Sequence, residues 1–460
     1  MTNPLFGPEV RMMLEEDNLP GLQAFCESVH PSTVAETLSE DDFTVEQVWH
    51  ALSQTGIREQ AAIFEYFPTA WQQQLVEKSG RPQMAKLIEQ MSHDDRVDLL
   101  RRLSPRVAEG LLRLVDEADR RDIATLFRYG EHTVGALMTT DYAWLPATLT
   151  AGQAIDRLRQ QAPDRETIYY IYILDEPSRK LRGVVSLKDL ILTDRHVQVR
   201  DLMVEETEIT TLKATDDQEH AAEALAKFDY LAMPVVDDES RLVGIITHDD
   251  VIDVITREAT EDLQRQAGVG PITESYFDAS MYRVWRSRAG WLCGLFLAQM
   301  FTLTAIEHFN EMIKKVIVLT LFLPLCMSVG GNAGSQAATL ITRALALEQV
   351  FLRDWLRIFR KELIIGLALA GTIGVLGLAR TWLFTSPRIL GDCPLDKLTY
   401  VIGISVAGIC LWGTLIGSML PLGFKRIGVD PAIASSPFIA TLSDVTGIMI
   451  YFSIAQIFLL

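Results

Sequence analysis

Positive charge is scarce in the first 280 residues of this 460-residue chain: 27 lysines and arginines stand against 51 aspartates and glutamates, a balance of −24. A surface of that sign repels phosphates, so nucleic acid is excluded as a partner and cations are favoured. Cysteine is sparse too. Cys26, Cys293, Cys326, Cys393 and Cys410 are scattered, with no CxxC and no histidine-rich partner motif. Neither a zinc site nor a disulfide framework is expected. The opening residues, MTNPLFGPEVRMMLEED, hold no apolar core long enough for a signal peptide, so the first half is expected to stay in the cytoplasm. A Walker loop, a nucleophile elbow and HExxH are all missing, and the chain is not expected to be an enzyme.

What is present is divided unevenly. Residues 281–460 carry 9 acids and 15 bases, a balance of +6, within a chain whose overall charge is −18 and whose hydrophobic content is 48%. An acidic soluble half is therefore joined to an apolar half, which excludes one globular domain, a disordered chain and a secreted miniprotein. Apolar runs at 289–309, 316–342, 363–384, 400–424 and 431–460 each exceed the roughly 20 residues that cross a bilayer core. They predict five transmembrane helices, with the two termini on opposite sides. With the soluble half inside, the cytoplasmic flanks hold ten basic residues, among them Arg283, Arg286, Arg288, Arg343 and Lys361. The outer loops hold five: Lys314, Lys315, Arg380, Arg388 and Lys397. This asymmetry predicts an inward-facing soluble half.

Three membrane features stand out. Asp444 is the only charged residue of the last run, and a carboxylate there costs a few kcal/mol unless it meets protein, water or a cation. Ala440, Thr441 and Gly447 are its small helical neighbours, which predicts that it faces the bundle interior. A protonated carboxyl acting as helix glue is the plainer alternative. The stretch Pro324-Leu-Cys-Met-Ser-Val-Gly330-Gly331-Asn332-Ala-Gly334-Ser-Gln336 predicts a broken helix whose bared carbonyls line a cavity, with amide oxygens from Asn332 and Gln336. Its alternative is a kinked packing helix with a small-residue seam. Asp430-Pro431 at the inner mouth of the last run suits a helix cap.

In the soluble half, Pro31, Pro68 and Pro105 recur every 37 residues, each followed seven residues later by Leu38, Leu75 or Leu112. Proline in a first helical turn before an apolar face, at this period, predicts a small α-solenoid over 1–130. Near its end Asp94 and Asp98 share one helix face; a solvated acidic face is the plain account. Residues 131–257 hold a second repeat, about 131–197 and 198–257. YYIYILD at 169–175 recurs as AMPVVDD at 232–238, and the Leu181–Asp189 stretch recurs as Leu242–Asp250. The order helix, strand, strand, helix and the G-h-h-[ST]-x-x-[DN] ending resemble a tandem pair of CBS domains. In that family Ser186 and Asp189 would take a nucleotide; a nucleotide-free structural pair is the alternative. The segment DDVIDVITREATEDLQ, 249–264, predicts one helix carrying Asp250, Asp253, Glu258, Glu261 and Asp262, with only Arg257 and Arg265 nearby to offset them. Such carboxylates either ligate a hard divalent cation or form a charged linker.

The order of acidic helical domain, CBS pair, connecting helix and linker at 258–285, and five spans over 286–460 resembles the MgtE family of magnesium channels. So do PLCMSVGGNAGSQAATL at 324–340 and GVDPAIASSPFIATLSDVTGIMIYF at 428–452. The resemblance implies a multidomain fold: an all-α solenoid-like domain, an α+β CBS pair and an all-α membrane domain. It also implies that Asp444 holds hydrated Mg²⁺ in a pore lined by Asn332, the Ala440 carbonyl and the Gly330-Gly331 turn. Asp94 and Asp98 would share Mg²⁺ with Asp250. Asp229, the Ala226 carbonyl and Asp253 would be CBS-side ligands, and Glu258, Glu261 and Asp262 connecting-helix ligands, with Asp430 as membrane-side partner of Glu261. Glu59 and Glu65 are further candidates.

The family implies a homodimer in a bacterial inner membrane with the pore between subunits, the C-terminus outside, Mg²⁺ both transported and regulatory, and ATP at the CBS pair. Two rivals are a divalent-cation carrier or exporter working by alternating access, and a membrane-anchored nucleotide sensor. The second leaves Asp444 and the glycine pair without a purpose.

Overall fold

The computed structural model describes residues 6–39, 43–272, 276, 277, 279–347, 349–386, 390 and 393–459. Arg388, counted above with the outer loops, lies outside them. The chain divides into two compact units, Met1–Thr256 and Arg257–Leu460.

The first unit begins with ten short helices among the described residues, from Gly7–Glu15 to Glu117–Leu126. From Leu19–Ser28 onward, most helices pack against the helix two places further along, which is solenoid stacking. The repeated prolines explain the starts. Pro31 and Pro105 open their helices, and Pro68 caps Thr69–Lys78. A proline there forfeits only an N–H that has no partner within the helix. Leu38 and Leu75 are fully buried, while Leu112 packs at the core's margin.

The CBS-like repeats follow. In the first, β1 (Tyr142–Pro146), β2 (Thr167–Asp175), β3 (Lys180–Ser186) and β4 (Val204–Glu205) form one sheet in that order, with β1 parallel to β2. In the second, β5 (Leu212–Lys213), β6 (Ala232–Val236) and β7 (Leu242–Thr247) form another, with β5 parallel to β6. The expected order of helix, strand, strand and helix omitted β1 and β5. The two residues of β5 are too few for an alternating pattern, and pairing with β6 alone makes them a strand. Why YYIYILD is apolar nearly throughout is now clear. Ile171 and Ile173 face Ala154 and Leu158 of their own repeat, while Tyr172 and Leu174 face Leu242 and Ile245 of the other. A strand buried on both faces loses its alternation. Val97, Leu100 and Ile123 share a further core with Leu225, Val251 and Val254, so the solenoid and the second repeat are packed together.

Among the described residues, the second unit contains five helices long and apolar enough to cross a membrane: Met281–His308, Val318–Ala346, Leu352–Phe384, Leu395–Arg426 and Ser436–Leu459. The second span corrects an expectation: it runs through Pro324 and both glycines without a break. Pro324 lies close behind the first turn, so it releases a carbonyl, that of Thr320, only at the helix start. The glycines serve approach. A Cβ on Gly330 would stand 2.7 Å from Ile409, and one on Gly331 3.3 Å from the Ala440 Cα. Across the seam, a Cβ on Gly413 or Gly417 would drive into the carbonyl oxygens of Gly330 and Gly334.

Candidate functional site

Two groups of acids line up with the sequence expectations, one in each unit. In the first unit, helix His93–Arg102 opens with Asp94 and Asp95, and helix His248–Gln266 opens with Asp249 and Asp250. Each pair is favoured where it stands, because a helix N-terminus carries partial positive charge. Folding brings the pairs within electrostatic reach. Burial pushes the Asp94 carboxyl well above the usual carboxylate range, and the charges of Asp250, Asp95 and Glu166 add to the shift. Asp250 rises to about 7, chiefly through burial, although the Thr247 hydroxyl donates to it at 2.5 Å. Burial likewise raises Glu65 to about 7, although its carboxylate accepts the Ser92 N–H at 2.7 Å. Asp95 is raised by burial and further by Asp98 and Asp253.

The bases nearby are committed elsewhere. Arg96 is buried against Asp119 at 3.1 Å and Asp122 at 2.8 Å. His93 bridges Asp122 and Asp141 at 2.7 Å each, and Arg165 holds Asp141 at 3.2 Å. Among the described residues, no lysine or arginine forms an ion pair with Glu65, Asp94, Asp95, Glu166 or Asp250. Nor do three His, Cys, Asp or Glu side chains converge there into a finished metal site. The carboxylates are adjacent rather than convergent.

The expected ligands separate accordingly. Asp94, Asp250 and Asp253 belong to this group. Asp98 pairs with Arg102 at 3.3 Å. Of the two further candidates, Glu65 joins the group, while Glu59 is exposed in the first turn of its helix. Ala226 and Asp229 are exposed at the end of Gln218–Phe228, where Asp229 adopts the left-handed conformation. Sequence reasoning missed Asp95, Asp249 and Glu166. The first two adjoin chosen acids; Glu166 sits in a connection and carried no pattern.

The CBS-like pair also encloses a cavity of about 120 Å³, lined by Tyr170, Tyr172, Thr210, Tyr230 and Pro234 among others. The Tyr172 hydroxyl is buried there without a partner. Ser186 and Asp189, outside that lining, bond to each other: the hydroxyl donates to the carboxylate at 2.6 Å and accepts the Asp189 N–H at 3.0 Å.

In the second unit Asp444 is half-buried, and its Oδ2 accepts from Gln299 Nε2 of the first span at 3.2 Å. Sequence reasoning did not single out Gln299. Asn332 Nδ2 donates to Ser328 Oγ at 3.2 Å, and Asn332 and Gln336 lie exposed one turn apart. Ala440 packs on Gly331. Ahead of the last span, Asp430 accepts the Ala432 N–H at 2.8 Å, as a capping residue should. Its other oxygen meets Arg265, which also donates to Glu261 at 3.2 Å. Burial, then Asp430, then Glu258 and Glu261 raise the Asp262 carboxyl.

Three family models match the chain. The family model described as a divalent cation transporter matches residues 323–454, that of the MgtE intracellular N domain matches 29–132, and the CBS domain matches 134–194 and 199–257. The magnesium transporter MgtE of Thermus thermophilus is 40% identical over 371 residues, 80% of each chain. Its Bacillus subtilis counterpart is 31% identical over 385 residues, 84% of this chain and 82% of the other. Among solved structures, the cytosolic domain of the Mg²⁺ channel MgtE in complex with ATP is 32% identical, with a TM-score of 0.51, covering 54% of this chain and 99% of that one. The soluble part of a magnesium transporter is 28% identical, with a TM-score of 0.52, covering 55% and 98%.

Proposed function

This chain belongs to the MgtE family of magnesium transporters, and on that premise we propose that it is a Mg²⁺-selective channel importing the ion down the membrane potential and closed by cytoplasmic Mg²⁺. The observation that carries the gating is the uncompensated Asp94–Asp250 group. Two carboxylates about 6 Å apart repel by roughly 1–3 kcal/mol at effective dielectrics between water and a protein surface. Asp94, Asp95, Asp250 and Asp253, with Glu65 and Glu166, therefore favour separation when bare and packing when a divalent cation neutralises them. A ligand that favours one of two states by several such sites switches between them. Asp98 and Asp229 with the Ala226 carbonyl are the further oxygens that the family resemblance would add in the first unit, and Glu258 and Asp262 those it would add in the second.

In the membrane, Asp444 holds the hydrated ion as substrate, with Asn332 and the Ala440 carbonyl beside it and the Gly330-Gly331 seam bringing their helices close. Inward movement gains about 2.3 kcal/mol per charge per 100 mV, twice that for Mg²⁺. The inside-positive flanks support a cytoplasmic first unit in a bacterial inner membrane, with the C-terminus outside. The apolar window of the first span is scarcely covered within the chain, which supports a homodimer with the pore between subunits. The tyrosine faces of the cavity could stack on a base, although at about 120 Å³ it does not take a whole nucleotide, and Ser186 and Asp189 lie outside it; ATP is the nucleotide to test.

Mg²⁺-dependent growth of a magnesium-auxotrophic host expressing the chain tests transport. Single-channel currents support the channel; saturable flux coupled to sodium or protons would support the alternating-access carrier instead.

A further inference from the structure

The end of helix His248–Gln266 is held by a cation that belongs to the chain. Arg265 lies in its last turn. Its Nη1 contacts Asp430 Oδ2, and its Nη2 donates to Glu261 Oε2 at 3.2 Å, one turn back. Asp430 in turn caps Pro431–Ile433, the short turn leading into Ser436–Leu459, the helix that carries Asp444. Neutral contacts hold the segment that follows the helix. Gln264 and Ile272 bond reciprocally at 2.7 and 3.3 Å, and Ser287 Oγ donates to the Gly270 carbonyl at 2.7 Å.

Glu261 and Asp430 are the two carboxylates that family resemblance would give to a Mg²⁺ ion. Here one guanidinium spans both. Its planar fork serves two carboxylates at once and keeps its charge at every accessible pH. Being tethered, it is present at a local concentration that does not fall when free Mg²⁺ falls. A hydrated ion entering between Glu261 and Asp430 would have to displace it.

We infer that Arg265 is a positioning residue, the built-in cation that ties the connecting helix to the turn preceding the Asp444 helix without a divalent ion. On the gating reading above, the Mg²⁺ dependence of closure then resides in the Asp94–Asp250 group, and the Glu261–Asp430 junction transmits it. Such a division is useful mechanically. A sensor must come apart when the ion leaves, but the link from sensor to pore must persist through both states.

Two measurements on the full-length protein test this. The first is amide hydrogen exchange of wild type at residues 262–266, with Mg²⁺ and after chelation. A tether independent of metal keeps these amides protected in chelator; loss of protection there overturns the assignment. The second is Mn²⁺ binding stoichiometry, with Mn²⁺ as the paramagnetic probe, together with the Mg²⁺ concentration that halves channel current. Arg265→Gln frees the two carboxylates and should bind one more Mn²⁺ per chain. Closure should need roughly tenfold more Mg²⁺, about the equilibrium change that one charge-assisted contact supplies. Arg265→Lys should keep the wild-type stoichiometry and most of the wild-type midpoint. Unchanged stoichiometry in Arg265→Gln, or a lysine variant that behaves like the glutamine one, overturns the inference. A wild-type channel that Mg²⁺ does not close would sink the gating reading alone, since exchange and stoichiometry still judge Arg265.

Discussion

The carboxylate of Asp444, in the middle of the last span, accepts a hydrogen bond from Gln299 of the first span at 3.2 Å. One amide steadies the charge but does not neutralise it. Asp444→Ala should abolish Mg²⁺ flux into liposomes while the protein still inserts, and Asp444→Asn should lose most of the ion affinity, because a full charge is replaced by a dipole. Gln299→Leu should retain flux but change the apparent Mg²⁺ affinity by about tenfold or more, since a hydrogen bond to a charged group contributes about 1.5–3 kcal/mol net. Wild-type flux in Asp444→Ala would remove this residue from the pore.

The glycine seam predicts a stability difference between two chemically identical changes. Gly417→Ala forces a methyl into the Gly334 carbonyl, whereas Gly371 has nothing within 4 Å of its would-be Cβ. Overpacking at such a crossing costs about 1–3 kcal/mol. Thermal unfolding of detergent-purified protein should show Gly417→Ala destabilised and Gly371→Ala close to wild type or slightly better. Equal melting of the two variants would mean that the helices do not cross this closely.

Asp250 is the test of the sensor. Asp250→Ala removes a ligand that acts only when the helix ends are together, but it also removes repulsion. The ligand contribution dominates at high Mg²⁺, because each lost site forfeits binding free energy that grows with ion concentration. The variant channel should therefore stay open at cytoplasmic Mg²⁺ that silences wild type, with unchanged ion selectivity. At low Mg²⁺ it should open no more than wild type. Patch currents against bath Mg²⁺ read both arms, and an unshifted inhibition curve rules Asp250 out of gating.

Acidity should substitute in part for the ion. Asp94 lies well above its ordinary carboxylate range, and Asp250 and Glu65 are raised to about 7. A carboxyl whose folded pKa exceeds its unfolded value binds more protons when folded. Its contribution is fully present below the unfolded pKa and is lost as pH rises through the folded one. Without divalent ions, the first unit of the full-length protein should have a higher denaturant midpoint near pH 5 than near pH 8. Saturating Mg²⁺ should flatten that slope by stabilising the charged forms. A midpoint that rises with pH in chelator contradicts the burial of these acids.

The nucleotide reading rests on aromatic faces. Tyr170→Ala and Tyr230→Ala each remove part of the cavity lining and should weaken ATP binding roughly tenfold, as loss of a stacking partner does. Asp189→Ala should weaken it as well if the carboxylate takes the ribose. Calorimetric titration with ATP measures all three, and wild-type affinity in both tyrosine variants would place the nucleotide elsewhere.

The sequence by itself determined what local pattern can specify. Five helices follow from apolar length, the solenoid from prolines at a fixed period, and the paired repeats from recurring strand and turn residues. The family was readable in two membrane segments, and Asp444 was conspicuous because a lone charge in an apolar run has few innocent explanations. Only the tertiary structure decided matters of partnership. It turned the Gly330-Gly331 stretch from an expected break into a crossing, because glycine permits either and the facing helix chooses. It made a strand of Leu212-Lys213 through pairing. It chose Glu65 over Glu59 and joined Asp95, Glu166 and Asp249 to the acids already suspected, although Glu65 and Glu166 are 101 residues apart in the chain. And it set Arg265, which in the sequence was one of two bases near many acids, between Glu261 and Asp430. Charge is a property of residues, whereas its neutralisation is a property of distances, and distances across the chain are what folding supplies.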